Sequence, residues 1–169
     1  MPGPRILVYE NFTPPIVSLM RVPNDLLFHE AGKDTVRISR QLDNVVTTIR
    51  GWGGDDGYTD DIVVMDTTMG TQNWRLELTC SQELTSLTNN AMVLTNALIY
   101  RNGNTTTPFG LGDTITVLTH ESVNNDYGAL NWSENVGIFL DGDTSPYLDY
   151  LIVDEYKAEF VWTLVHATP

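Results

Sequence analysis

The stretch "GWGGDDGYTDD", residues 51–61, sets four glycines and four aspartates around Trp52 and Tyr58, with Asp66 a few residues on. Carboxylate oxygens are what a hard cation such as calcium takes, and the glycines permit a tight loop. An aromatic ring beside such acids could instead stack on a sugar whose hydroxyls the acids bind. The spacing of Asp55, Asp56, Asp60 and Asp61 follows no calcium-loop pattern. A second stretch, "DGDTSPYLDY", begins like an EF-hand loop with Asp141, Asp143 and Ser145. It then departs, because Pro146 replaces the glycine of the turn and Ile152 stands where the bidentate Glu belongs. Both stretches read as acidic turns, and neither metal nor cofactor is expected.

Other chemistry is sparse. His29, His120 and His166 are scattered without a paired metal-ligand spacing, and the first two read as strand residues with one polar edge. Cys80 is the sole cysteine, so neither an internal disulfide nor a cysteine metal site can form. In "WRLELTCS" it alternates with Trp74, Leu76 and Leu78, which places the thiol on an apolar strand face. The chain has no GxSxG elbow, P-loop or GxGxxG fingerprint. Twenty-two acids offer too many carboxylate pairs for any one to be nominated as glycosidic. The expectation is a protein that is not an enzyme.

The aromatics divide in two. Trp74 and Trp162 alternate with apolar neighbours and read as core. Trp52, Tyr58, Tyr127 and Trp132 lie in or beside Gly- and Asn-rich stretches. They could bind a sugar, anchor a protein interface, or fold over the ends of the molecule.

The elements that must hold these residues are short. "IVSLMRV", "DLLFHEA", "TVRISRQL", "NVVTTIRGW", "DIVVMDTT", "WRLELTCS", "AMVLTNALIYR", "DTITVLTHES", "VGIFLD", "YLDYLIVDE" and "AEFVWTLVHA" read as strands. They are divided by "MGTQN", "RNGNTTTPFGLGD", "NNDYGALNWSEN" and similar turn material. In "SQELTSLTNNAM", Leu84, Leu87, Ala91 and Met92 fall at helical spacing behind Ser81, which predicts one short helix. The fold class expected is all-β: a jelly-roll-like β-sandwich over residues 21–169 with at most that one helix. Residues 1–20 form an edge strand or an extended arm, because Pro2, Pro4, Pro14 and Pro15 bracket the apolar stretch Ile6, Leu7, Val8 and Tyr9. As an arm, that stretch could pair with another subunit through its backbone.

Charge is uneven along the 169 residues. Residues 1–50 carry six basic and five acidic groups, and the remainder three against seventeen, giving the net −13. Such an excess repels phosphates, so neither nucleic acid nor an anionic membrane is an expected partner. "MPGPRILVYE" lacks a secretory apolar core, and synthesis in a cytoplasm is expected.

Taken over its length, the chain resembles the small auxiliary structural proteins of tailed bacteriophages, above all capsid decoration or cement proteins. The likeness rests on "MPGPRILVYENFTPP", on Thr- and Asn-rich stretches such as "AMVLTNALIYRNGNTTTPFG", and on the lack of catalytic motifs. It implies a sandwich or jelly roll, symmetric homo-oligomers (often trimers), a place in the virion, and docking on the major capsid protein. The interface expected on this reading draws on Arg5, Ile6, Leu7, Val8, Tyr9, Phe12, Arg21, Trp52, Tyr58, Tyr127 and Trp132. Arg37, Arg40 and Arg50 share the near-neutral first third that would face the partner. Two other readings stand beside it: a phage tail tube or terminator subunit with an acidic lumen, and a carbohydrate-binding module using Trp52, Tyr58 and Trp132.

Overall fold

The computed structural model describes residues 15–23, 26–28, 49–53, 60–141 and 154–166. Among them are twelve strands: β1 (Val17–Arg21), β2 (Leu26–Phe28), β3 (Ile49–Gly53), β4 (Asp61–Asp66), β5 (Trp74–Ser86), β6 (Leu98–Asn102), β7 (Thr105–Pro108), β8 (Thr114–Thr119), β9 (Val123–Asn124), β10 (Tyr127–Asn131), β11 (Val136–Leu140) and β12 (Tyr156–His166). The chain is all-β, as its alternating pattern predicts.

The strands form three antiparallel sheets, ordered β1-β4-β10-β9, β2-β3-β11-β6-β7 and β12-β5-β8. β1 runs close to β12 and β10 close to β8, so the four-stranded sheet lies over the three-stranded one. Gly128 on β10 shows how tight this packing is, since a Cβ there would come 3.0 Å from the Trp74 ring. One apolar cluster joins all three sheets: Ile62 and Val64 of β4, Trp74, Leu76, Leu78 and Cys80 of β5, Leu98 of β6 and Ile138 of β11. Each fully buried aliphatic side chain of this kind contributes about 1.5–3 kcal/mol, which is why the period of two is so strictly kept.

β5 is the central element. Its even-numbered residues from Trp74 to Ser86 are buried, apart from half-buried Gln82. The helix expected in "SQELTSLTNNAM" is absent. Leu84 continues the inward row of β5, Leu87 is 56% exposed, and Thr85 and Ser86 pair with Lys157 and Tyr156 of β12. The helical spacing of leucines lost to thirteen residues of ladder with a strand seventy positions away, a contact that local periodicity does not contain.

Two further differences concern turns. "NNDYGALN" was expected as turn material but holds β9 and β10, joined through Asn125 at φ 62°. "RNGNTTTP" holds the β6–β7 hairpin, in which Asn102 faces Thr105 across Gly103 at φ 60°. Glycine at the first central position suits a two-residue type II′ turn. His120, expected within a strand, begins a short 3₁₀ turn over His120–Ser122 after β8. The expected strand "TVRISRQL" and most of "YLDYLIVDE" lie outside the described residues, as do residues 1–14 of the stretch expected as an edge strand or arm.

Candidate functional site

The carboxylates that suggested a cation site have other partners. Asp60 receives Arg50 Nη2 at 2.6 Å, and Asp61 receives Arg21 Nη1 at 3.1 Å. Asp66 is fully buried. Its Oδ1 accepts the Thr68 amide at 2.8 Å and the Thr68 hydroxyl; its Oδ2 accepts the Gly70 amide at 3.2 Å and Trp74 Nε1 at 2.7 Å. Burial pushes this carboxyl up, but the hydrogen bonds from Thr68, Trp74 and Gly70 outweigh it and hold it below the ordinary aspartate value. Asp66 therefore ties the β4–β5 turn to the core. Asp55, Asp56, Asp143 and Ser145 lie outside the described residues. Among the described residues, no three His, Cys, Asp or Glu side chains converge as metal ligands would.

Other polar groups are spent the same way. Asp154 accepts the Ser86 hydroxyl, the Thr88 hydroxyl at 2.6 Å and the Thr88 amide at 3.2 Å, and these bonds pull its carboxyl down to about 2. Glu83 accepts the Asn96 amide at 2.9 Å and Asp113 the Gly110 amide at 2.8 Å, so each pins a turn. Cys80 is buried as its alternation predicts. Burial first, then the charges of Glu83 and Asp113, push its thiol up to about 11, which makes it a poor nucleophile. An open cavity of about 430 Å³ is lined by Asn73, Trp74, Arg75, Thr119, His120 and Glu121. Its indole nitrogen is already committed to Asp66, and Arg75 is paired with Glu77.

The nominated aromatics separate. Trp132, nominated for the interface and alternatively expected to fold over an end of the molecule, is buried, with 3% of its surface exposed. Its amide donates to Asp60 O at 3.1 Å, and its ring tilts against Trp162 at 5.7 Å. Gly137, at φ 141°, leaves room for its other contacts: a Cβ there would lie 3.2 Å from the indole. The ring folds over the core because the chain turns sharply after β10, with Ser133 bridged to Val136. Arg50, expected on the docking side, is likewise buried. Trp52 falls on β3 opposite Leu27. The remaining nominations, Arg5, Ile6, Leu7, Val8, Tyr9, Phe12 and Tyr58, lie outside the described residues, as do Arg37 and Arg40.

Arg21 and Tyr127 share one sheet face, on strands separated by β4. Register runs Ser18–Met65–Tyr127–Asn124 across the four-stranded sheet, and Arg21–Val63–Ala129 in the next row. Directly opposed residues share a face, and the alternate rows, with Leu19 and Val64, point into the core. The outer face of this sheet thus carries Tyr127, 48% exposed, with Val63 and Met65 half-buried and Ala129 exposed beside it. Met20, 55% exposed, stands at the irregularity between Leu19 and Arg21, and the Arg21–Asp61 pair marks one end. Tyr, Met and Arg are the residue types enriched where proteins meet. Sequence reasoning missed Val63 and Met65, because only the register places them beside Tyr127, and it missed Met20, which is exposed at the irregularity of β1.

The chain matches no family model, no curated protein and no solved structure.

Proposed function

We propose that the chain is a non-catalytic structural subunit of a phage virion, of the capsid decoration type, and that it grips the major capsid protein through the outer face of the β1-β4-β10-β9 sheet. The observation that carries this reading is the face itself: Tyr127, Met20, Val63 and Met65 stand outward on a sheet whose inner face is already packed. A subunit held by neighbours needs a stiff body and an apolar grip rather than a reactive cleft. The use of Asp66, Asp154, Glu83 and Asp113 to pin turns supports such a body. Binding only to the assembled shell stabilises the shell, because it shifts the assembly equilibrium. The same reading carries a jelly-roll winding, homo-oligomeric assembly and a place in the virion after synthesis in the host cytoplasm. Burial of Trp132 takes one of the three rings from the sugar-binding alternative.

The test is co-sedimentation of the full chain with purified capsids of the encoding phage from which it has been stripped. Saturable pelleting with the capsid is expected. A chain that stays in the supernatant at every capsid concentration overturns the reading.

A further inference from the structure

β12 spans eleven residues at the edge of its sheet, and among the described residues its backbone ladder runs to β5 alone. Edge strands are normally guarded by proline, charge or a bulge, because their unpaired N–H and C=O groups recruit other strands. β12 has such guards at one end only. Lys157 and Glu159 lie there, and the register against β5 shifts twice between Lys157 and Phe160. From Phe160 to His166 the pairing is regular, and Phe160–Val165 reads "FVWTLV", without charge, proline or glycine. Val161 is 50% exposed in the middle of the strand. Six such residues on an edge with no ladder partner among the described residues are an aggregation hazard unless something covers them.

We propose that a second copy of the chain covers this edge: two β12 strands pair antiparallel about a two-fold axis at Thr163, joining the two three-stranded sheets into one. The strand is self-complementary in this register. Val161 lies opposite Val165, Trp162 opposite Leu164, Phe160 opposite His166, and Thr163 opposite itself, all favourable cross-strand pairs. Lys157 and Glu159 fall beyond the paired stretch, so no like charges meet. Parallel pairing would set Lys157 on Lys157 and Glu159 on Glu159, which is unfavourable. Centring the axis on Val161 would lay the irregular part of β12 against the straight part. A two-fold contact also closes on itself, whereas β12 pairing with β8 of the next copy would continue as an open array. The result is a dimer rather than the three-fold ring that the likeness to decoration proteins implies, and it stands on the strand alone, independent of capsid binding.

Sedimentation velocity of the full chain tests it. The wild type is expected to run as a dimer at micromolar concentration. Thr163→Lys puts two ammonium groups face to face on the axis and is expected to give a monomer. Within each copy Thr163 is exposed and opposite Glu77 on β5, so the new lysine meets an acid and the fold is kept. Thr116→Lys on the exposed part of β8 is expected to leave the dimer intact. Thr163→Cys with a short bismaleimide should give a covalent dimer. Val161→Cys should not, because its two copies sit four residues apart, about 13 Å along the strands. The native thiol does not interfere, since Cys80 is buried. Should Thr163→Lys also lower the melting temperature, the crosslinks carry the decision. A wild type that is monomeric up to millimolar concentration, a dimer unchanged by Thr163→Lys, or crosslinking through Val161→Cys but not Thr163→Cys overturns the proposal.

Discussion

Asp66 is the residue on which the β4–β5 turn depends. Its buried carboxylate satisfies the indole of Trp74, the amides of Thr68 and Gly70, and the Thr68 hydroxyl. Asp66→Ala leaves these donors without an acceptor and opens a small void, which should cost about 3 kcal/mol. Urea unfolding followed by tryptophan fluorescence would read this as a lower midpoint at unchanged slope. Asp154 makes the pH dependence concrete. Its folded value, about 2, lies below the unfolded value of about 3.9. The stabilisation it gives is therefore present above pH 4 and is lost as pH falls toward 2. Asp66, also depressed, acts in the same direction. Unfolding free energies measured from pH 5.5 downward should fall across that window, and Asp154→Asn should flatten the fall. A variant with the wild-type acid limb would show that the Ser86 and Thr88 bonds do not differ between folded and unfolded chains.

At the scale of elements, close packing is tightest where β11 meets Trp132. Gly137 combines φ 141° with an indole 3.2 Å from where a Cβ would stand. Gly137→Ala should therefore destabilise the protein by roughly 2 kcal/mol, through backbone strain and displacement of the ring. A lower melting temperature with an altered near-ultraviolet spectrum would record both. The strands that pack inward on every second residue were legible in the sequence: "DIVVMD" and "WRLELTC" each alternate around side chains that turn out buried, while "VGIFL" was legible as a short apolar run and is buried from Gly137 to Leu140. β10 was not, because "YGALN" offers Gly128 where a large inward residue would signal a strand, and that glycine exists to admit Trp74. The continuation of β5 past Cys80 was hidden for a different reason. Its leucine spacing fits a helix, and only β12 decides for the ladder. Trp132 looked like a loop ring by its neighbours, while its burial comes from a turn that brings it over Trp162. Of the nominated interface, Arg21 and Tyr127 could be read as exposed, but their sharing a face depends on strand order, which no local pattern records.

The whole chain carries a net charge of −13, and in its interior the buried Asp66 carboxylate is tied into a turn and the buried Arg50 is held by Asp60. A surface of that sign keeps copies apart in solution and away from nucleic acid, so association must come from local apolar contacts strong enough to overcome it. The outer face of the β1-β4-β10-β9 sheet supplies one such contact, with Met20 and Tyr127 its most exposed large apolar side chains. Interfaces concentrate their energy in a few anchors of this kind. The most direct test is a capsid-binding isotherm for the Met20→Glu, Tyr127→Ala double variant beside the wild type, with both folds checked by circular dichroism. Binding weakened by about tenfold or more, at an unchanged melting temperature, is the predicted result. An isotherm superimposable on the wild type would contradict the account, for it would mean that the capsid is held by some other surface.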